Sequence, residues 1–415
     1  MVGNGAREHA LAHVMARTAE VVVTPGNPGI AAAGLRCVAG DPFDLARSEA
    51  VDLVVIGPEQ PLVDGLADRL RATGILAFGP GADGAQLEGS KAYLKELVHA
   101  ADVPTAASRA FGANDVDGAL AFLRSLDAPW VIKTDGLAAG KGVLVTNDLA
   151  EAEADVREKL SGAAFGAAGT TVVIEEGMTG PELSVLVVCD GRLSAEGCVV
   201  LPPARDHKRI GDGDTGPNTG GMGAFTPVPG VDADLEDFVV RRMVLPTLHE
   251  LDRRGIEYRG VLYAGLMLTP TGPQLVEYNI RFGDPEAEVV LPRIDGDLAG
   301  FLASAAAGHV EPGLISISDD ACCGIVLAAP GYPAAPQLGG AISGIDAASA
   351  RPGITVFSAA VDAGGDGLIT AGGRVLCVTA RAPTAAAARD AAYAAADDID
   401  FVGGVLRRGD IASSA

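Results

Sequence analysis

Apolar residues near the start of the chain fall in short unbroken runs, and between those runs their spacing lengthens to three and four. Over residues 1 to about 85 this pattern predicts helix 6–17, strands 20–24 and 35–39, strand 51–56 (VDLVVI), helix 61–72 and strand 75–78. Strands alternating with helices imply a parallel sheet covered on both faces. The turns Gly3-Asn4-Gly5, Pro25-Gly26-Asn27-Pro28-Gly29 and Gly57-Pro58-Glu59 each follow a strand, at the carboxyl edge where open α/β sheets take their ligands. Only Met1-Val2 precede Gly3, so the first strand is expected to leave sheet hydrogen bonds unmade.

Residues 86–107 read as a connecting helix with Ser90 and Lys91 near its start. Strand 130–133, a Gly-rich turn, strand 143–146, helix 148–160 and strand 171–176 follow. Strands 183–189 and 195–201, a long loop at 206–226, helix 232–254 and strands 261–268 and 274–281 form the next unit. After about 305 the texture shifts to short strands (321–329, 353–358, 374–379) and an Ala-rich helix at 384–397; only the last few residues look disordered. The expected division is 1–85, 86–108, 109–182, 183–305 and 306–415.

At 415 residues and 48% hydrophobic content, the chain holds material for two to four domains. No run of 18 apolar residues occurs, and Arg7, Glu8 and Arg17 interrupt the first twenty positions; a membrane span and a secretory signal are not expected, and the cytosol is. The six cysteines lie scattered in apolar stretches without a CxxC pair, which points to buried reduced thiols. A net charge of −23 argues against a nucleic-acid partner but not against an anionic small molecule, which needs only a local cluster of donors. Lysines are scarce, and Lys91, Lys133, Lys141 and Lys208 all fall in motif-like segments.

Four segments carry candidate chemistry. In Lys133-Thr134-Asp135-Gly136 through Gly140-Lys141-Gly142, a strand delivers a lysine into a small-residue loop, suited to phosphate oxygens; a flexible hairpin with solvated lysines would look similar. It is no Walker A motif, because neither Ser nor Thr follows Lys141. Glu175-Glu176-Gly177-Met178, with Glu182 beyond, leaves a strand as a linker that offers backbone groups to an adenine edge and a carboxylate to ribose hydroxyls; a solvated hinge is the bland alternative. Along the third segment, Glu277, Asn279 and Arg281 alternate on one strand face. A carboxylate and an amide oxygen suit Mg²⁺, a guanidinium suits a phosphoryl oxygen, and Asp284-Pro285 reads as a helix N-cap and first turn. The fourth, Asp206-His207-Lys208-Arg209 followed by Asp214 through Gly223, sets basic side chains beside hydroxyls, an amide and bare N–H groups.

In this order, the segments resemble the glycinamide ribonucleotide synthetases, a branch of the ATP-grasp family. The resemblance runs over nearly the whole chain: GNGAREHA at 3–10, PGNPG at 25–29, GPEQPLVDG at 57–65, QLEGSKA at 86–92, KTDGLAAGKGV at 133–143, DHKRIGDGDTGPNTGGMGA at 206–224, LYAGLM at 262–267, EYNIRFGDPE at 277–286 and GGRVLCVTA at 372–380. It implies an N-terminal Rossmann-like parallel sheet, central ATP-grasp domains and a small β-rich α+β C-terminal domain. The implied reaction joins glycine to 5-phosphoribosylamine through glycyl phosphate at the expense of ATP, with Mg²⁺ or Mn²⁺, in a monomer.

Carried over residue by residue, the resemblance implies that Lys91, Lys133, Gly136, Gly140, Lys141 and Gly142 hold ATP phosphates. Glu175, Glu176, Met178 and Glu182 would hold adenosine, and Glu277 and Asn279 the metal. Arg281, Lys208, Asp214 and Asn218 would serve the chemical steps. Gly5, Arg7, Glu8, Asn27, Glu59, Thr219, Gly220, Gly221, Met222 and Asp284 would contact glycine or phosphoribosylamine. Two departures accompany the short first strand: strand 261–268 carries no acid, and residues 357–360 read Phe-Ser-Ala-Ala where the family usually has His-Ala-Gly, so a local alteration is expected there. Another ATP-grasp ligase or carboxylase, or a nucleotide-binding scaffold without turnover, are the alternatives; intact Lys133, Glu277, Asn279 and Arg281 argue against the scaffold.

Overall fold

The computed structural model describes residues 1–136, 142–162, 171–365 and 367–415. Strands Val2–Gly3, Val22–Pro25 and Arg36–Cys37 form a parallel sheet, and Val2 bridges Ile56 beside the parallel pair Leu53–Val55 and Leu76–Phe78. The first strand is thus central and short, yet the expected vacancies are filled. The Met1 amino group donates to Val22 O at 2.7 Å, and Met1 O, Val2 O and Gly3 O accept from Thr24, Gly57 and Gly26 at 2.8, 3.0 and 3.1 Å. Helix Ala6–Met15 covers this sheet. Two expected helices are each broken in two. Segment 61–72 divides at Gly65, which takes φ +78°, into Glu59–Val63 and Leu66–Arg71. The connector becomes Ala82–Gly89 and Lys91–Ala100, because Ser90 is extended and its hydroxyl caps the Tyr93 amide at 3.1 Å.

An antiparallel sheet follows in the order Ser108–Gly112, Thr171–Glu176, Trp130–Thr134, Val143–Thr146. Helices Val116–Leu123 and Leu149–Leu160 pack on it around Phe111, Leu120, Ile132, Val156, Val172 and Ile174, a core of its own. A second antiparallel sheet runs Cys198–Val200, Glu182–Asp190, Arg259–Thr269, Gly272–Asn279. The expected helix 232–254 is Ala233–Val239 and Leu245–Arg253 joined by a π turn at Val240–Val244, just ahead of Pro246, whose ring nitrogen has no hydrogen to donate.

The expected loop at 206–226 is largely built. Arg209–Gly211 and Thr215–Asn218 form a hairpin, and Gly223–Thr226 joins a five-stranded antiparallel sheet. That sheet runs Arg205–Asp206, Gly223–Thr226, Ala321–Ala328, Arg374–Ala382, Ile354–Ser358, so it draws strands from both sides of residue 306. A partner about a hundred residues away leaves no periodic signal in the segment itself. Helix Ala385–Ala396 lies on this sheet through Ala388, Ala392, Ala395 and Ala396. The chain end is packed rather than disordered: Ile411 and Ala412 are buried. All six cysteines are free, four of them buried and Cys37 and Cys198 half-buried.

Candidate active site

A cavity of about 560 Å³ opens between the two four-stranded sheets. Lys133, Glu175, Glu176, Met178, Glu182, Lys208, Asp214, Asn218, Thr219 and Glu277 all line it, so ten residues singled out from the sequence converge on one space. Gly140 and Lys141 lie outside the described residues. Gly136 and Gly142 flank that gap: Gly136 O accepts from Lys91 Nζ at 2.9 Å, and Gly142 O accepts from the Thr134 amide at 2.8 Å. Asp135 pins the same turn to the next helix, accepting from Ser90 Oγ at 3.0 Å and from the Ala92 amide at 3.1 Å.

Glu175 does not face outward. Its buried carboxylate lies 2.9 Å from Lys95 Nζ and 2.9 Å from Lys133 Nζ. Burial disfavours every charge in this triad. Against that burial, Lys133 and then Lys95 hold Glu175 below the usual carboxylate range. Lys133 likewise suffers burial, but Glu175 and Glu277 outweigh it and raise its pKa. Lys95 ends lowered, burial exceeding the pull of Glu175, and Lys91 is lowered by burial as well. Lys95 was not singled out, although it sits one helical turn beyond Lys91, on the same face.

The Glu176 and Gly177 amides already donate to Ala107 O and Pro129 O at 2.9 and 2.8 Å, which leaves the Met178 backbone as the linker's open edge among the described residues. Glu182 is engaged by Lys208 at 2.5 Å, with Asp206 at 3.7 Å from the same ammonium. Burial opposes the charge of Lys208, but Asp206 and Glu182 raise its pKa well above the ordinary value. Burial pushes the Asp206 carboxyl up to about 7, with Lys208 pulling the other way.

Glu277 and Asn279 stand half-buried on alternate positions of strand Gly272–Asn279, between buried Leu275, Tyr278 and Ile280. The register slips between Gly265 and Leu266, so Val276 bulges and sets the direction of Glu277. The Glu277 carboxylate has no hydrogen-bond or ion-pair partner among the described residues. Glu277 lines the cavity and Asn279 does not; a carboxylate and an amide oxygen are donor types that Mg²⁺ accepts beside phosphates and water. No group of three or more His, Cys, Asp or Glu suited to a metal occurs among the described residues. Behind Asn279, its cross-strand partner Tyr263 donates to the buried Glu286 carboxylate at 2.6 Å, and Ser184 Oγ does so at 2.9 Å.

A second cluster of expected site residues gathers where the first sheet's turns meet the end of that strand. Glu8 Oε2 accepts from the Gly5 amide at 2.7 Å. The Glu8 side chain crosses the turns so closely that a Cβ on Gly3 or Gly57 would stand 2.4 or 2.2 Å from it. Arg7 donates to Glu8 at 2.5 Å and to Phe282 O at 3.3 Å. Arg281 lies beside Glu88 at 2.7 Å and Glu59 at 3.4 Å, and donates to Phe282 O at 3.1 Å. Glu88 Oε2 also accepts the Ile280 amide at 2.9 Å, so one buried carboxylate fixes both the strand end and the guanidinium. Glu88 stood inside a recognised block but was not chosen; nothing local marks it, because its partners are 192 and 193 positions away.

Five expected contacts are engaged within the protein. Met222 is fully buried, with its amide on His207 O and its carbonyl under the Val326 amide, so its side chain packs the core. Asn27 caps helix Pro28–Ala32 through Oδ1, while its Nδ2 serves Asn4 O, Ala359 O and Ser358 O at 2.8, 2.9 and 3.3 Å. The altered segment is therefore docked onto the first sheet, where His9 Nδ1 also accepts the Ser358 amide at 2.9 Å. Asp284 is not an N-cap: Asp284–Pro285 is a cis peptide, the helix beyond is only Ala287–Val290, and Arg374 takes both Asp284 O and Asp284 Oδ1 at 2.9 Å. With no long helix there, the inferred dipole site lapses. Gly220 and Gly221 are held through their carbonyls by Arg374 Nη1 at 2.7 and 3.4 Å, and a Cβ on Gly221 would stand 2.4 Å from Pro285.

Three family models cover the chain: the phosphoribosylglycinamide synthetase N domain over residues 1–88, its ATP-grasp (A) domain over 89–287 and its C domain over 322–414. The chain is 48% identical to the phosphoribosylamine–glycine ligase of Caulobacter vibrioides and 45% identical to that of Rhizobium meliloti, over 98% of this chain and 96% of each relative. The crystal structure of the phosphoribosylamine–glycine ligase of Thermotoga maritima superposes with a TM-score of 0.85 at 32% identity, covering 99% of this chain and 98% of that one. The biotin carboxylase domain of Hydrogenobacter thermophilus 2-oxoglutarate carboxylase, solved with MgADP and bicarbonate, shares the fold at a TM-score of 0.70 and 18% identity, over 97% of this chain and 90% of that one.

Proposed function

The chain belongs to the phosphoribosylglycinamide synthetase family, and we propose that it divides that family's reaction between the cavity and the cluster of Arg7, Glu8, Glu59 and Arg281. The reaction is the ATP-dependent ligation of glycine to 5-phosphoribosylamine, giving glycinamide ribonucleotide, ADP and phosphate. ATP and a divalent metal go with the ATP-grasp fold; the oxygen donors of Glu277 and Asn279 suit Mg²⁺ or Mn²⁺. The observation that carries the assignment of residues is the unpartnered Glu277 carboxylate lining the same cavity as the ammonium groups of Lys133 and Lys208.

In the cavity, Lys91 and Lys133 neutralise ATP phosphates, the Met178 backbone meets the adenine edge, and Glu182, already oriented by Lys208, accepts from the ribose. Glu277 and Asn279 would hold the metal, which would supply charge neutralisation to the phosphates. A glycine carboxylate oxygen attacks the γ-phosphorus, the bond to the β-phosphate oxygen breaks, and ADP leaves. Asp214, Asn218 and Thr219 line the side from which glycine approaches. The amine of phosphoribosylamine, held by the turns around Gly5, Arg7, Glu8 and Glu59, then attacks the acyl carbon. Phosphate departs and the new amide nitrogen gives up a proton. Arg281, two residues beyond Asn279 and held by Glu88 and Glu59, steadies the charge on the leaving phosphate. Positioning and electrostatic preorganisation carry both steps.

Phosphate release from ATP is the test, with glycine and freshly made phosphoribosylamine each omitted in turn. Release that needs both substrates supports the reading; ATP binding without release in the complete mixture would leave a scaffold.

A further inference from the structure

The hairpin Arg209–Gly211/Thr215–Asn218 stands at the mouth of the nucleotide cavity, contributing Arg209, Asp214 and Asn218 to its lining, and its second strand is exposed along its whole length. A two-stranded hairpin of this size is marginal by itself in water. What fastens it comes from the far end of the chain. The Arg408 side chain, 0% exposed, donates through Nη1 to Asp214 Oδ1 at 2.7 Å and to Arg209 O at 3.1 Å. Its other two nitrogens grip Asp410 in a fork, both at 2.7 Å. Asp410 in turn accepts the Gly213 amide at 2.8 Å, and Asp212 accepts the Gly409 amide at 2.8 Å. Asp214 holds φ +54°, a left-handed conformation that a side chain tolerates only when something fixes it. The clasp itself is anchored by buried Ile411, whose amide donates to Tyr393 Oη at 2.9 Å, and Ser414 ends on the cavity wall.

We propose that Arg408 is a positioning residue for the ligation, holding the 209–218 hairpin in its substrate-ready place from a segment distant in sequence. The inference rests on the assignment of the cavity to ATP and glycine. A guanidinium suits the task because it bridges two carboxylates and a carbonyl within one plane. Nothing in this arrangement needs Arg408 to touch a substrate. Its loss therefore lowers the fraction of molecules whose hairpin is ready to bind, which raises an apparent KM and leaves the saturated rate nearly unchanged.

The test compares wild type, Arg408→Gln, Asp410→Asn and the double variant in glycine titrations at saturating ATP and phosphoribosylamine, beside hydrogen exchange of the 209–218 amides. Arg408→Gln is expected to raise the KM for glycine about tenfold with kcat within about threefold, and to speed exchange in the hairpin. Asp410→Asn should move the same way by less, and the double variant should be no worse than Arg408→Gln alone, because both side chains act through one clasp. A lowered melting temperature with an unchanged glycine KM, or additive losses, would overturn the proposal. Should Arg408→Gln not fold, Asp410→Asn decides, since its side chain is 26% exposed and lies outside the cavity lining: unchanged KM and unchanged exchange reject the clasp. A wild type without glycine-dependent turnover would instead reject the function, while the exchange data still judge the clasp.

Discussion

Replacing Glu175 by Gln isolates the electrostatics on which the nucleotide cavity is built. Glu175 is the carboxylate that lies 2.9 Å from both Lys95 and Lys133, and all three side chains are under 10% exposed. The amide keeps the shape but leaves two buried ammonium groups without an anion, a loss worth about 3–5 kcal/mol. Lys95 retains Thr105 Oγ1 at 2.8 Å, so Lys133 bears most of the damage. In the variant, a lysine relieves the cost by giving up its proton in the folded state. The folded form then binds fewer protons than the unfolded chain, and stability climbs as pH rises toward the ordinary lysine range. In the wild type Lys133 and Glu175 act with the opposite sign, and only Lys95, lowered by burial, shares the sign of the variant. The raised Lys133 contributes fully below the ordinary lysine value and is lost as pH rises through its folded value; the lowered Glu175 contributes above the ordinary carboxylate value and is lost in acid. The gap between the two proteins is therefore widest near neutrality and narrows toward pH 10. The single tryptophan, Trp130, lies on the strand that carries Lys133 and reports the region's unfolding in urea. Saturating MgATP without glycine should also narrow the gap, because phosphate oxygens replace the missing anion. Equal midpoints at pH 7, or a gap that does not change with pH, would refute the reasoning.

Glu277→Gln should nearly abolish turnover at limiting Mg²⁺ and recover part of it at high Mg²⁺, read as ADP formation across a metal titration; an unchanged metal dependence removes Glu277 from the shell. Arg281→Lys should leave ATP affinity by calorimetry within about threefold but lower turnover roughly a hundredfold, because one ammonium cannot serve Glu88, Glu59 and Phe282 O together. Equal losses of binding and turnover would make Arg281 a ground-state contact.

Much of the cavity lining was legible in the sequence because its residues come in local runs. Lys133 and Gly136, Glu175 to Met178, and Glu277 with Asn279 are each set by one strand and the turn that leaves it, and strand periodicity is a local property. What holds those runs in place was not legible. Glu88 reaches Ile280 and Arg281, Arg374 reaches Gly220 and Asp284, and Arg408 reaches Asp214, each across 90 or more positions, where no pattern within a window can register the contact. The same limit explains Met222 and Asn27. Both stand in glycine-rich, polar stretches that look like ligand contacts, and both are claimed by partners far along the chain: Met222 by Val326, and Asn27 by Ser358 and Ala359. The break at Ser90 was within reach, since a serine after glycine is a standard helix start.

The five-stranded sheet that pairs Gly223–Thr226 with Ala321–Ala328 imposes a delay on the growing chain. When Thr226 leaves the ribosome its partner is still about a hundred residues from being made, roughly 5–20 s at ordinary translation speeds. For that interval Ala224 and Phe225, both wholly buried in the finished protein, have a partner on one side only, the two-residue strand Arg205–Asp206. The nascent protein therefore carries an open apolar edge until its last quarter emerges. A slowed ribosome between codons 226 and 321 should raise its demand for chaperones more than the same pause placed earlier.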